Sequence, residues 1–163
     1  MVIQIDTREH QKAIQNIIQT MDVAGIMHIS SKLYVGDYML YGYPDLVIDR
    51  KHNLGELAGN ICGKQHERFA NELKRAKEVG THIIVLVEDD NIKSIEDIKK
   101  WSSKHTKVKG ETLYKAMMTM QSETEKYDVE FQFCKKRDTG MVIVDRLVFN
   151  MEQKAIKKLE NDF

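Results

Sequence analysis

The run His82-Ile83-Ile84-Val85-Leu86-Val87-Glu88 places five apolar residues in succession, all good strand formers. A strand turns alternate side chains to opposite faces, so an unbroken apolar run needs cover on both sides. Helices supply that cover when the strand has parallel neighbours. The run therefore predicts an interior strand of a sheet held between two helical layers. It is far too short to cross a membrane, and no other stretch is longer.

The flanking sequence supplies the helices. Ala13, Ile14, Ile17, Ile18 and Met21 form a helical stripe over Gln11–Met21, with Asp6 or Thr7 as N-cap and Glu9 complementing the helix dipole. Asn53 is placed to cap a short helix, Leu54–Ile61, with Glu56 near its start. Phe69, Leu73 and Ala76 mark a longer helix over Lys64–Val79. Further helices are predicted over Ser94–Trp101, Glu111–Lys126 and Met141–Leu159, and strands at Val2–Ile5, Ile26–Ile29 and Val129–Phe133. At 163 residues and 42% hydrophobic content, with no Pro/Gly/Ser linker, one domain is expected. The expected fold class is α/β, three layers α/β/α around a mixed sheet.

Between these elements, Gly36–Lys51 (GDYMLYGYPDLVIDRK) reads as a β-hairpin with Gly42 and Pro44 in its turn. A turn centred near Tyr43 sets Asp37 opposite Asp49, with Cβ atoms about 4.5–5.5 Å apart. Lys51 follows Asp49 by two and shares its face. Opposed like charges destabilise a sheet, so a hairpin that keeps them is built to hold a cation. Two carboxylates and a lysine on one patch suit a magnesium-dependent phosphodiesterase. The bland alternative makes Asp37 a turn residue and Asp49 and Lys51 a solvated pair; the hairpin alone does not separate the two.

Gly36-Asp37, the hairpin and Asp49-Arg50-Lys51 together resemble the GD…ERK signature of the XPF family of structure-specific DNA endonucleases, a branch of the PD-(D/E)XK superfamily. Asp6-Thr7-Arg8-Glu9 is similar to that family's D-x-R-E, and Arg68-Phe69 lies on a helix where the family carries an arginine. The resemblance covers about the first 90 residues well. It implies a restriction-endonuclease-like fold that cuts branched or flapped duplex DNA. Asp37 and Asp49 would bind Mg²⁺ or Mn²⁺, with Lys51 and Asp6 completing the catalytic set. Arg8, Arg50 and Arg68 would hold the DNA backbone. A homodimer through the late strand and helix is also implied. Two departures stand out: Asp49 replaces the usual glutamate, and Gly55 replaces an aspartate, with Glu56 beside it. They leave open a degenerate scaffold that binds DNA without cutting, and a Holliday-junction resolvase-like nuclease is the other alternative. The family's helix-hairpin-helix module is not expected before Phe163, so either an accessory DNA-binding partner supplies that function or the domain acts alone, as phage-type nucleases of this kind do.

Lys and Arg number 25 and Asp and Glu 25, so general electrostatic coating of nucleic acid is excluded and DNA contact must be local. The candidates are Lys64, Arg68 and Arg75 on one helix, and the acid-free loop Lys99–Lys109, where Trp101 is either a stacking platform or core. Cys62 and Cys134 lack metal spacing and read as free thiols of a cytoplasmic protein. Scattered histidines and the lack of a glycine-rich phosphate loop argue against zinc and ATP.

Overall fold

The computed structural model describes residues 1–161. The apolar run forms strand β5 (His82–Glu88), which lies between β4 (Leu46–Lys51) and β6 (Val129–Cys134) and is parallel to both. β3 (Tyr38–Leu40) runs antiparallel between β4 and β1 (Val2–Ile5). β2 (Met27–Ser30) closes the far edge beside β1, giving the order β2-β1-β3-β4-β5-β6. Helices α2 (Leu54–Cys62), α3 (His66–Glu78) and α4 (Gly110–Ser122) cover one face; α1 (Gln15–Val23) and α5 (Thr139–Asn161) cover the other. The architecture is thus the expected three-layer α/β/α around a mixed sheet.

Strand alternation sorts the core. Val47, Ile83, Val85 and Val87 point into the cluster under α2–α4, while Ile48, Ile84 and Leu86 point into the cluster under α1 and α5. Continuing the alternation along β4 sends Asp49 and Lys51 to the first side and Arg50 to the second. α1 and α5 approach closely at Gly140, where an added Cβ would stand 2.7 Å from Thr20 Oγ1.

Two expected helices start differently. Gln11–Ile14 is a 3-10 helix and α1 begins only at Gln15; Glu9, ahead of both, hydrogen-bonds to Tyr38 and Arg50. The Ser94–Trp101 segment is a 3-10 helix, Ile95–Lys100, with Ser94 and Asp97 forming the capping box.

The hairpin has the expected register, Tyr38 opposite Ile48 and Met39 opposite Val47. Asp37, however, steps out of the ladder: its N–H donates to the carbonyl of Ile48 (2.9 Å), so two residues oppose one, as in a β-bulge. Gly36 permits this with φ +67°, and a Cβ there would collide with Val47 Cγ1. Gly36→Ala is expected to cost about 3 kcal/mol through left-handed strain and overpacking. Urea unfolding should show this as a lower midpoint at unchanged slope.

Candidate active site

β4 carries a buried charged run out of the core. Asp49 and Lys51 are 6% and 7% exposed, and Lys51 Nζ lies 2.9 Å from Asp49 Oδ2. Lys51 also sits 5.1 Å above the Phe69 ring and lines a cavity of about 150 Å³ with Glu56, Arg68 and Glu72. Burial opposes its charge, but Asp49, then Asp37 and Glu56, hold its pKa above that of an ordinary lysine. Lys51 is therefore a cation at neutral pH.

The bulge re-aims Asp37 toward the end of β4, where its Oδ2 accepts the Arg50 N–H at 2.8 Å. Burial pushes its pKa well up, and the neighbouring charges of Asp49 and Glu9 push it further. The structure thus brings Asp37, Asp49 and Lys51 together through a bulge, not a flush cross-strand pair.

Asp6 is 1% exposed and fully engaged. Its Oδ1 accepts Arg8 N–H (2.9 Å) and Arg8 Nε (2.6 Å), and its Oδ2 accepts Leu33 N–H (2.7 Å). Burial pushes its pKa up, yet these donors hold it below the usual carboxylate value. Through these bonds Asp6, expected in the catalytic set, ties Arg8 to the segment ahead of the bulge. Arg8 keeps its side chain 55% exposed while donating to Gly36 O at 3.2 Å. Arg68 is exposed at the mouth of the Lys51 cavity.

Arg50 departs from expectation. Its side chain is 2% exposed and lies on the opposite face of the sheet, paired with Glu9 Oε2 (3.0 Å) and Glu88 Oε1 (3.0 Å). Both carboxylates are nearly as buried, so a backbone phosphate cannot reach this guanidinium. Tyr38 OH donates to Glu9 at 2.5 Å and Thr139 Oγ1 to Glu88 Oε1 at 2.9 Å, which ties β3, β4, β5 and α5 into one network. From sequence, Glu9 goes to the helix dipole and is not joined to Arg50, Tyr38, Glu88 and Thr139. The signal was the alternation of β4, which sends any residue at position 50 away from Asp49.

Glu56 has two occupations. It accepts His52 N–H at 2.8 Å, and its own N–H donates to the Asn53 cap (2.8 Å), while its carboxylate faces the Lys51 cavity. Trp101 packs against the core, leaving Lys104, Lys107 and Lys109 of that loop exposed.

The ERCC4 domain family matches residues 5–144, which includes every residue of this site. The chain belongs to the ERCC4 domain family. Among solved structures, this ERCC4 domain is similar to XPF from Aeropyrum pernix, with TM-score 0.68, 16% identity, and 97% of this chain and 69% of that chain covered. A structure of XPF from Aeropyrum pernix in complex with DNA aligns with TM-score 0.67 and 16% identity over 93% of this chain and 66% of that one. At this identity the likeness establishes the shared fold. No curated protein matches the ERCC4 domain chain. Among the described residues, no helix is long and apolar enough to cross a membrane.

Proposed function

We propose that this ERCC4 domain is a divalent-metal-dependent DNA endonuclease acting on branched or flapped duplex. The observation that carries the reading is the crowding of Asp37 against Asp49 beside a charged Lys51, at the mouth of a cavity flanked by Arg68. Burial and the charges of Asp49 and Glu9 raise the Asp37 pKa despite the nearby Lys51, so a divalent ion held by Asp37 and Asp49 would relieve that repulsion. Asp37 and Asp49 would hold Mg²⁺ or Mn²⁺, which take one or two carboxylates plus waters and substrate phosphate rather than an all-protein cage. When bound, the ion supplies Lewis-acid polarisation of the phosphate and a more acidic water.

The chain's own groups then divide the remaining work. Lys51, kept protonated, donates to the phosphate oxygen on which charge develops; it is not free to take a proton from water. Phe69 and Asp49 fix the position of its ammonium. Arg68 at the cavity wall and the exposed Arg8 bind backbone phosphates, positioning the strand without reading sequence. A second copy is proposed to pack on the apolar residues that α5 leaves open, Met141, Phe149, Ile156 and Leu159, which are 49–61% exposed.

The test is cleavage of labelled flap, fork, four-way and plain duplex DNA with Mn²⁺ or EDTA. Metal-dependent cutting that favours flap or fork supports the reading, preference for four-way DNA moves it to a resolvase, and binding without cutting makes it a scaffold. Arg68→Ala should weaken binding to all four DNAs alike and reduce the slope of log affinity against log salt by about 1.

A further inference from the structure

The stripe of α3 that lines the Lys51 cavity continues to a second depression. Arg68, Glu72 and Arg75 follow at i, i+4 and i+7, and Val79 caps the helix at i+11. The span from Arg68 to Val79 is about 16 Å, a few nucleotides of strand. Beside Val79 opens a groove of about 330 Å³ whose lining is almost wholly apolar, with Leu33, Tyr34, Val35, Met39 and Val47 as its other walls. Tyr34 and Val79 are 63% and 58% exposed, large apolar groups left in water next to the site.

The charges around the groove select its occupant. Arg75 stands 6.0 Å from the centroid of the Tyr34 ring, and both Arg75 and Lys32, which precedes the groove residue Leu33 in the chain, are exposed with no ion-pair partner among the described residues. Apolar surface rimmed by free cations suits a ligand that is a flat ring on an anionic chain. The segment presenting Tyr34 is held at both ends, by Leu33 N–H on Asp6 and by Gly36 N–H on Glu72 at 3.2 Å, so the ring is placed before any ligand arrives.

We propose that the groove takes an unpaired nucleobase of the strand whose phosphates run along α3 from the Lys51 cavity, with Tyr34 as its stacking platform. The inference rests on the endonuclease reading and adds to it a seat for one base of the substrate's single-stranded arm. A paired base would first have to leave its stack, whereas a flap or fork presents an unpaired base at no such cost. Arg68 and Arg75 contact the phosphates between scissile bond and base.

The experiment measures anisotropy binding of the full chain to flap DNA and to plain duplex in EDTA, for wild type, Tyr34→Ala, Tyr34→Phe and Val79→Asp. 2-Aminopurine is moved through the flap one position at a time. Tyr34→Ala is expected to weaken flap binding about tenfold and leave duplex binding unchanged, while Tyr34→Phe retains wild-type affinity. Val79→Asp, which places a charge in the groove at an exposed position, should show the same flap-selective loss. Quenching should be confined to one or two adjacent flap positions in wild type and be absent in Tyr34→Ala. Equal losses on both DNAs, or no loss on either, would overturn the base pocket while leaving the nuclease intact. Wild type that binds neither DNA would overturn the endonuclease reading itself.

Discussion

Asp37→Asn is expected to abolish metal-dependent cleavage and, in the same protein, to raise the stability of the metal-free fold. Both effects follow from one carboxylate. Its ion-binding charge is gained at the expense of burial and of repulsion from Asp49 and Glu9. An asparagine keeps the shape and still accepts the Arg50 N–H, but carries no charge. Loss of the ion's stabilisation of a developing phosphate charge, several kcal/mol, corresponds to about a thousandfold in rate. Thermal unfolding separates this from a folding defect. Wild type should gain about 5–10 °C from saturating Mn²⁺ by mass action, and the variant nothing. The pH dependence has a definite sign. A carboxyl whose folded pKa is raised stabilises the fold fully below its unfolded value, near 3.9, and loses that contribution as pH rises through the folded pKa. Metal-free wild type should therefore lose, on raising pH from acid toward neutrality, a contribution that Asp37→Asn never loses. A variant that cuts normally, or that still responds to Mn²⁺, would place the ion elsewhere.

The second large effect lies on the other face of the sheet. Arg50→Met should destabilise the protein by about 3–5 kcal/mol, because Glu9 and Glu88 remain buried without their common cation. At this chain length that corresponds to a fall of about 10 °C in Tm. Glu88 is the more sensitive partner: it is 4% exposed, and its Oε2 has no hydrogen-bond partner among the described residues even with Arg50 present. Combining Arg50→Met with Glu9→Gln and Glu88→Gln should recover most of the loss, since removing a whole buried charge set is close to neutral. Urea unfolding of the single and triple variants decides it. If Arg50→Met unfolds like wild type while DNA binding falls, Arg50 is a phosphate contact after all and the burial argument fails.

These two residues are neighbours of one strand with opposite assignments, and they show how far the amino-acid order carries. Alternation along Leu46–Lys51 placed Asp49 and Lys51 on one face, and the symmetry of a turn centred on Tyr43 set the hairpin register. Both depend on residues close in sequence, so both were legible. The same alternation already separated Arg50 from Asp49, a conclusion masked by reading Asp49-Arg50-Lys51 as a single motif. The bulge at Asp37 was not legible, because it depends on how Gly36 fits against Val47 across the hairpin.

What the sequence by itself determined was everything with a short period: the interior strand, the helical stripes, the hairpin and the acid–lysine face. Only the tertiary structure decided which distant groups meet. Glu9, Arg50, Glu88 and Thr139 come from four separate segments, and they converge because β1, β3, β4 and β5 lie side by side with α5 packed beneath. Tyr34 and Arg75 likewise meet only when the segment before the hairpin is laid along α3. Periodicity records the face a residue takes, whereas a contact between segments depends on strand order, which no local pattern encodes.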